Sequence, residues 1–373
     1  MFDGTLIGVS DERKAELERK YGKNFTSISI PLFNRGRHAF EGQAVQENIK
    51  KMLHAADFVT VTTDHIKEVY HDLYDIPLEK IIALPNFLPK FLFFDRYRPD
   101  DKVAQFKANK AKPRIGIVSS LSHYNIDGVR QDKDGRACRK RVNPDNSVTW
   151  VTEGNKEIPE SETSEIYDDV DGILDCIRST ADDFQWVFFG YCPAKLSDLV
   201  DAKKIEVHGG VQIQNYASAF DNLKLQAVVA AINKTEFNYC KSFIKTMECA
   251  ALGVPCFATN CLPYSRVMEP AQLFDSSADL KNKLMRLKFA SAGVYRNIID
   301  RQWKWLNSEH DEGDFHVKSF WQEDNLKIWL DMFKPRQKGL MISLDAFTKQ
   351  YASRKAKEKE NTLFKNENVW IMK

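Results

Sequence analysis

The chain contains 373 residues, 43% of them hydrophobic, which is enough to bury the cores of two domains. Its formal net charge of +2 favours no partner by itself, and its seven cysteines, with no Cys-x-x-Cys pair, argue against a disulfide framework or a zinc ribbon. No apolar run of about 18 residues occurs, and the start MFDGTLIGVSDERK lacks a signal-peptide pattern, so we expect a cytoplasmic protein without membrane insertion.

Short apolar runs alternate with helical patterns along most of the chain, which is typical of parallel sheets covered by helices. The first hundred residues supply a strand at MFDGTLIGV, a helix at VQENIKKMLHAA, a strand at DFVTVTT, a helix at DHIKEVYHDLY and a strand at KIIALPN. The polar and basic stretch RYRPDDKVAQFKANKAKPR then predicts a linker.

A second series of elements begins with the strand IGIVSS. It continues with a helix at DDVDGILDCIRSTA and with the nearly all-apolar strands FQWVFFG, KIEVHGG and LQAVVAAI, as expected for a sheet buried on both faces. Before that helix lies a polar segment, basic first (RQDKDGRACRKRV) and acidic later (EIPESETSEIYDD), which we interpret as an insertion with a hairpin strand at SVTWVTE. Loops at this end of a parallel sheet usually face the ligand crevice.

The C-terminal patterns YRNIIDRQWKWL and FHVKSFWQEDNLKIWLDMF predict amphipathic closing helices, followed by a charged helix or loose tail. We therefore expect an α/β fold in four parts. These are a reduced Rossmann-like domain over 1–100, a linker over 101–113, a second Rossmann-like domain over 114–295 with an insertion at about 125–167, and closing helices with a charged tail over 296–373.

The most informative stretch is TEFNYCKSFIKTMECAALGVPCFAT, residues 235–259. A helix over KSFIKTMECAAL places Lys241, Lys245 and Glu248 on one stripe, with Gly253 ending the helix. Asn238 is expected to cap its first turn, where free amides and the helix dipole form an anion site. Two lysines there suit a diphosphate, and a carboxylate two turns on suits the hydroxyls of a ribose. The alternative is an ordinary solvated face with i,i+3 and i,i+4 ion pairs.

This stretch resembles the nucleotide-sugar motif of the retaining GT-B glycosyltransferases, the large group that includes glycogen-synthase-like and sucrose-synthase-like enzymes. The resemblance extends to AADFVTVTTDHIKEVYHDLYDIPLEKIIALPN, similar to the segment that closes the acceptor domain, and to RIGIVSSLSHYN, similar to the first donor-domain strand and its G-S-x-x-H loop. The later strands follow the family order, so the resemblance covers about residues 45–290. It implies two Rossmann-like domains facing a cleft and a nucleotide-sugar donor, with UDP as the expected nucleotide.

The resemblance assigns Glu248 to the second glutamate of the paired-glutamate motif, which holds the ribose. The first glutamate falls at Cys240, a departure from the family. The family's Arg and Lys that neutralise the diphosphate are absent from SSLSHYN, so Lys241 and Lys245 are the candidates, with Arg130 as another source. His123 is expected near the sugar or phosphate, unless it only packs in its loop. The set of donor contacts is completed by Ser120, Gly190, Tyr191, Asn238, Cys240 and Ser242, of which Gly190 and Tyr191 could equally serve a turn.

The implied chemistry is retaining glycosyl transfer, for which we expect no metal. Charge growing on the leaving phosphate is stabilised by the lysines and the helix N-terminus. The basic insertion, linker and tail favour DNA as acceptor, in the manner of phage-encoded enzymes that glycosylate hydroxymethylated bases, which would place the protein in the host cytoplasm. The alternatives are a polysaccharide, lipid-linked or protein acceptor, or a noncatalytic binder of nucleotide sugars or nucleic acid, which the departure at Cys240 favours.

Overall fold

The structure of the chain is a computed structural model, which describes residues 50–119, 123, 130–132, 137–145, 147–152, 156–165 and 168–333. The predicted strand MFDGTLIGV, the predicted donor contact Ser120 and the charged tail lie outside these residues. The chain separates into a first compact unit that ends at Gln322 and a second that begins at Glu323. The four-part division made from the sequence stays a prediction.

The elements follow one another along the chain, after a helical stretch at residues 50–55. In order they are β1 (Val59–Val61), α1 (Asp64–Tyr74), β2 (Ile81–Ala83), α2 (Lys90–Phe93), α3 (Pro99–Ala108), β3 (Arg114–Ser119), β4 (Arg130–Asp132), β5 (Ala137–Val142), β6 (Val148–Val151), β7 (Glu157–Ile158), β8 (Thr163–Glu165), α4 (Leu174–Thr180), β9 (Gln185–Gly190), α5 (Ser197–Asp201), β10 (Ile205–Gly209), α6 (Ile213–Asn222), β11 (Ala227–Ala230), α7 (Glu236–Tyr239), α8 (Ile244–Leu252), β12 (Cys256–Thr259), β13 (Leu273–Phe274), α9 (Ser277–Phe289), α10 (Ala292–Leu306), β14 (His310–Glu312), β15 (Phe315–Val317) and α11 (Leu326–Phe333).

A six-stranded sheet forms the centre of the first unit, and all its neighbouring strands pair in parallel, in the order β10-β9-β3-β11-β12-β13. Counted from β3 along the chain, this is the order 3-2-1-4-5-6 of a doubly wound nucleotide-binding sheet. The strand order reverses between β3 and β11, which opens a crevice at their carboxyl ends. The prediction of an α/β fold on a parallel sheet is confirmed.

The strands of this sheet are apolar because helices cover both of its faces. The core contains Trp186 and Phe188 of β9 together with Ile117 of β3, all at most 2% exposed. Helix α10 packs on both α3 and α8, and its Tyr295 stacks on Phe106 of α3 at 4.3 Å between ring centroids. The helices thus fix the edge of the sheet at which the loops converge.

The described part of the first hundred residues centres on a parallel pair, β1 with β2, in the register Val59 opposite Ile81. Helix α1 covers this pair and spans the predicted segment DHIKEVYHDLY. The side chain of Thr63 caps α1 by accepting a hydrogen bond from the amide of Ile66 at 3.2 Å, and Asp75 ends it in the left-handed conformation. The pair has its own apolar core, which also includes Cys240 from the distant segment before α8.

The segment predicted as a linker contains helix α3. Pro99 stands in its first turn beside Asp100 and Asp101, which favour a helix N-terminus, and Phe106 is buried in the main core. The charges that suggested a linker lie on its outer side, with one exception. Lys102 is 3% exposed and pairs with Asp221 at 2.5 Å.

The insertion forms an antiparallel sheet in the order β7-β6-β5-β4-β8. The predicted hairpin strand SVTWVTE contains β6, and a small apolar core holds Cys138, Trp150 and Ile158 together. The guanidinium of Arg130 lies over the Trp150 ring at 5.3 Å and pairs with Glu160. Arg130 therefore belongs to the insertion, which argues against it as a source of charge for a diphosphate.

One predicted closing helix is correct and the other is partly wrong. Helix α10 spans most of YRNIIDRQWKWL. The first residues of FHVKSFWQEDNLKIWLDMF instead form β15, which pairs antiparallel with β14, because Phe315 and Val317 alternate with a polar residue and follow a turn at Gly313. The end of this pattern does form a helix, α11, within the second unit.

Candidate functional site

The segment that carries Lys241 and Lys245 contains two helices rather than one. After α7, the chain turns, and α8 begins at Ile244 with Phe243 at its N-cap. Its end at Gly253 is as predicted, since Gly253 adopts the left-handed conformation with φ 63° that glycine favours. The start at Lys241 is wrong by three residues, so Lys241 does not share a helical stripe with Lys245 and Glu248.

Asn238 is likewise not the cap of α8. It lies in α7, where its amide donates to Thr235 Oγ1 at 3.3 Å and its carbonyl accepts from the amide of Lys241 at 3.1 Å. These local bonds form the turn that separates the two helices. The side chain of Asn238 is 1% exposed and has the structural partners described below.

The first polar group is the Lys245 cluster, defined as Lys245, Glu248 and Tyr216. Lys245 Nζ lies 2.6 Å from Glu248 Oε2 and 3.0 Å from the Tyr216 hydroxyl, which donates to the same carboxylate oxygen at 2.9 Å. Tyr216 comes from α6 and stacks on Phe189 of β9 with ring centroids 5.8 Å apart. Glu248 is 8% exposed, so this is a buried pair and not the solvated face of the alternative interpretation.

Two opposing effects act on the pKa of Lys245 in this cluster. Burial by itself lowers the pKa of Lys245, but the negative charge of Glu248 and the hydrogen bonds raise that pKa above its ordinary value. Burial raises the pKa of the Tyr216 hydroxyl, so it remains a donor. Both of these contacts engage Oε2 of Glu248; within the described part of the chain, Oε1 accepts no hydrogen bond.

The second polar group is the switch-point cluster, defined as His123, Asp169, Asn233, Asn238 and Lys241. Asp169, 2% exposed, is its centre. Its Oδ2 lies 2.7 Å from His123 Nδ1 and 3.1 Å from Lys241 Nζ. Its Oδ1 accepts from Asn238 Nδ2 at 2.8 Å and from the amide of Asn233 at 3.1 Å. One buried carboxylate therefore holds a lysine and a histidine that are each about a quarter exposed.

The strand order explains where this cluster lies. His123 follows β3 and Asn233 follows β11, the two neighbouring strands between which the order reverses. The carboxyl ends of these strands define the crevice in which doubly wound sheets bind ligands. The fold thus places a lysine and a histidine at the position where a phosphorylated ligand is expected.

Two other predicted site residues meet different surroundings. Ser242 Oγ accepts a hydrogen bond from Asn86 Nδ2 at 2.6 Å, which joins the turn before α8 to the loop after β2. Cys240 is 1% exposed and packs among the apolar side chains around β1 and β2. This packing argues against Cys240 as a donor contact, because a thiol in an apolar core is a poor substitute for a sugar-binding carboxylate.

Gly190 and Tyr191 end β9 at the same edge of the sheet. Gly190 has φ 112°, a conformation that side chains rarely adopt, so the turn requires glycine here. The Tyr191 ring is partly buried and packs against the main core. Both placements agree with a turn role, and a contact of either residue with a nucleotide stays a prediction.

The sequence analysis missed three residues of these clusters, Asp169, Asn233 and Tyr216, of which Asn233 directly follows the predicted strand LQAVVAAI. Asp169 ends the acidic run EIPESETSEIYDD, where its charge does not stand out from that of its neighbours. Tyr216 looks like one apolar residue of an amphipathic helix, and it carries no motif. The available signal was positional, since each residue lies close to the carboxyl end of a strand or to a helix start at the ligand edge.

The described residues contain neither a metal-binding group of side chains nor a membrane-spanning helix. No three side chains of His, Cys, Asp or Glu come together there as a metal ion would require. In the same part of the chain, no helix is both long enough and apolar enough to cross a membrane.

No family model and no curated protein matches the chain. Similar solved structures include a variant of TarM from S. aureus in complex with fondaparinux, α-GlcNAc-glycerol and UDP, at 11% identity and TM-score 0.46 over 78% of this chain and 47% of that one. A glycosyltransferase from Rickettsia africae matches at 12% identity and TM-score 0.42, over 79% of this chain and 68% of that one. The pneumococcal O-GlcNAc transferase GtfA, in complex with UDP and GlcNAc, matches at 12% identity and TM-score 0.42, over 79% of this chain and 48% of that one. The chain spans about half of TarM and GtfA, and similarity at this level identifies neither a family nor an activity.

Proposed function

We propose that this chain is a glycosyltransferase of the GT-B type that takes a nucleotide diphosphate sugar at the carboxyl edge of its six-stranded sheet. The observation that supports this most is the switch-point cluster, which lies where the strand order 3-2-1-4-5-6 reverses. The motif resemblance of residues 235–259 also favours a donor site at the carboxyl edge of the sheet, and it does not depend on the strand order.

In this proposal the diphosphate binds beside Lys241 and the start of α8. Phe243, the N-cap residue of α8, makes no side-chain hydrogen bond to the first turn. The amide of Thr246 donates to the Phe243 carbonyl at 2.9 Å, so the amides of Ile244 and Lys245 are the ones that can donate to an anion. Lys241 and these amides would offset the charge that grows on the leaving phosphate as the sugar departs. A metal ion is then not needed for this step, and a chelator is expected to leave turnover unchanged.

The ribose is assigned to Glu248. Lys245 and Tyr216 bind Oε2 and hold the carboxylate in place, while Oε1 is left to accept a ribose hydroxyl. This changes the role expected of Lys245. Its ammonium is engaged by Glu248, so it orients the ribose acceptor, and Lys241 remains the lysine for the diphosphate.

His123 is assigned to the donor sugar or its phosphate. Asp169 holds the ring through Nδ1 at 2.7 Å, which fixes its orientation at the mouth of the crevice. The motif resemblance implies transfer with retention of the anomeric configuration.

For the acceptor we propose DNA that carries a 5-hydroxymethylated pyrimidine. Strand β5 of the insertion supports this with Arg139 and Lys140, both exposed, on the antiparallel sheet that lies between β3 and α4 in the chain. A polysaccharide, lipid-linked or protein acceptor is the alternative, and the acceptor panel below separates them.

The decisive experiment measures release of UDP from a panel of UDP-sugars, alone and with hydroxymethylated DNA, unmodified DNA or a glycan acceptor. UDP at a hundred times its dissociation constant should stabilise the fold by about 2.7 kcal/mol and raise the Tm by on the order of 5 °C. Lys241→Met and Glu248→Gln should abolish this shift. The matched control Lys234→Met removes an exposed lysine of the same segment that pairs with Asp275, and it should behave as wild type.

A noncatalytic nucleotide-sugar binder is the second candidate, and the packing of Cys240 favours it, because the motif then lacks its first carboxylate. UDP-induced stabilisation without UDP release from any donor and acceptor would select this candidate. If UDP does not stabilise the fold and no UDP is released from any donor, both candidate functions are contradicted.

A further inference from the structure

Helices α9 and α10 flank a cavity of about 640 Å³ that is open to solvent. It lies behind β12 and β13, at Phe257 and Gln272, and not among the residues of the switch-point cluster or the Lys245 cluster. Its volume falls in the range of sites for small organic ligands. Nothing in the proposed transfer reaction uses it.

The walls of the cavity are mostly apolar. They are formed by Leu287 and Ala290 of α9 and by Val294 and Ile298 of α10. Beside it, Phe289 is 70% exposed and borders an adjoining hollow with Met285 and Arg286. An apolar group placed in the cavity would therefore be covered on several sides.

The rim of the cavity is cationic, with Lys283 and Arg286 from α9 and Arg301 and Lys304 from α10. Two of the four are already paired, Lys283 with Asp279 at 3.6 Å and Arg301 with Glu269 at 2.7 Å. Within the described part of the chain, Arg286 and Lys304 make no ion pair.

The acidic residue among the lining side chains is Asp300. Its carboxylate is engaged by Arg296 at 2.8 Å and by the Tyr97 hydroxyl. An anion at the rim would therefore meet two unpaired cations and no unpaired carboxylate of the lining.

We propose that this cavity binds a single-chain amphiphilic anion, whose alkyl chain enters between α9 and α10 and whose carboxylate or phosphate meets Arg286 and Lys304. The alkyl chain is favoured over a flat aromatic ligand because the walls are aliphatic. A small inorganic anion alone would leave the apolar walls without a partner.

The experiment measures binding of linear carboxylates from hexanoate to dodecanoate to the full chain by calorimetry, each below its micelle concentration. Affinity should rise about fourfold per added methylene until the cavity is filled, which corresponds to about 0.8 kcal/mol per group. The matching alcohols test the charge, and inorganic phosphate tests the apolar part. Both should bind at least tenfold more weakly than decanoate.

Variants locate the site. The double variant Arg286→Gln, Lys304→Gln should weaken decanoate binding by on the order of tenfold at low salt. Val294→Asp, at a half-exposed wall position that can change without unfolding the helix, should abolish binding. Lys281→Gln, on α9 but outside the lining, is the control and should bind as wild type.

Affinity independent of chain length, or equal binding by the Val294→Asp variant, would overturn the proposal. Binding to anionic vesicles, or to an acidic amphipathic peptide, without binding of monomeric decanoate would also overturn it in favour of a surface site. UDP-induced stabilisation of the same variants should match wild type, so failure here and failure of the proposed transferase are separate results.

Discussion

Lys241 and Lys245 lie four residues apart in the sequence. In the fold, one of them pairs with a carboxylate close in sequence and the other with a distant one. Lys245 binds Glu248, three residues further along the same helix, and the pair is buried with Tyr216. Lys241 binds Asp169, 72 residues earlier in the chain, together with His123 from the loop after β3. The first group is a local pair within one helix, whereas the second exists only because the sheet brings three loops to one crevice.

The difference also separates the functions we assign to the two lysines. A lysine engaged by a carboxylate of its own helix can orient that carboxylate toward a ligand. A lysine held at the crevice by a carboxylate that also binds a histidine and an asparagine is positioned for a ligand that carries its own negative charge. Breaking each group in turn tests this division.

The largest loss of stability is expected for Asp169→Ala. The change removes four polar contacts of a 2% exposed carboxylate and leaves Asn238 buried without that partner. We expect the free energy of unfolding to fall by about 3 kcal/mol or more, measured by chemical denaturation. If the free energy of unfolding falls by only a few tenths of a kcal/mol, Asp169 does not hold the switch-point cluster together.

Asp275→Ala is the matched control for that measurement. Asp275 is also an acid that pairs with a lysine, Lys234 at 3.3 Å, but its side chain is 62% exposed. Exposed pairs contribute less than about 1 kcal/mol. Asp169→Asn keeps the shape of the side chain and should fall between the two.

A smaller loss, about 2 kcal/mol, is expected for Lys245→Met, which keeps the apolar stem but leaves Glu248 with Tyr216 alone. Since the folded-state pKa of Lys245 is raised above the unfolded value, its stabilisation is complete below the unfolded pKa and is lost as pH rises through the folded one. The difference from wild type should therefore stay constant from about pH 6 to pH 9.

Lys283→Met serves as the control for Lys245→Met, because Lys283 also pairs with an acid on its own helix, Asp279, but at 3.6 Å and with a carboxylate side chain that is 38% exposed, against 11% for Glu248. Its loss should be less than about 1 kcal/mol. If both variants lose equally little, burial adds nothing to the Lys245 pair, and the two lysine groups would differ only in their positions.

The sequence predicted most of the central sheet because its strands are buried on both faces and therefore form continuous apolar runs, as in FQWVFFG and LQAVVAAI. It also predicted α1 with its actual bounds, since Thr63 and Asp64 mark the start. It failed where charge obscured burial. Helix α3 was interpreted as a linker although Phe106 lies in the core.

For the candidate site, the sequence was informative about local pairs and uninformative about long-range ones. The spacing of Lys245 and Glu248 predicted their ion pair. No periodicity could join Asp169 to Lys241, because their contact depends on the strand order. Cys240 also could not be placed, since the apolar core that takes it up is built by β1 and β2, over 150 residues away.

The smallest effect is expected for Tyr216→Phe, which removes one hydroxyl and keeps the ring on Phe189. The hydroxyl accepts from Lys245 and donates to Glu248, so its loss should lower the free energy of unfolding by about 1 kcal/mol. Because Glu248 then keeps only Lys245, we expect weaker binding of UDP with little change for inorganic diphosphate, which lacks a ribose. Lys241→Met should weaken both ligands, so the ratio of the two affinities in each variant assigns one lysine group to the ribose and the other to the diphosphate. Equal effects of Tyr216→Phe on both ligands would contradict that assignment.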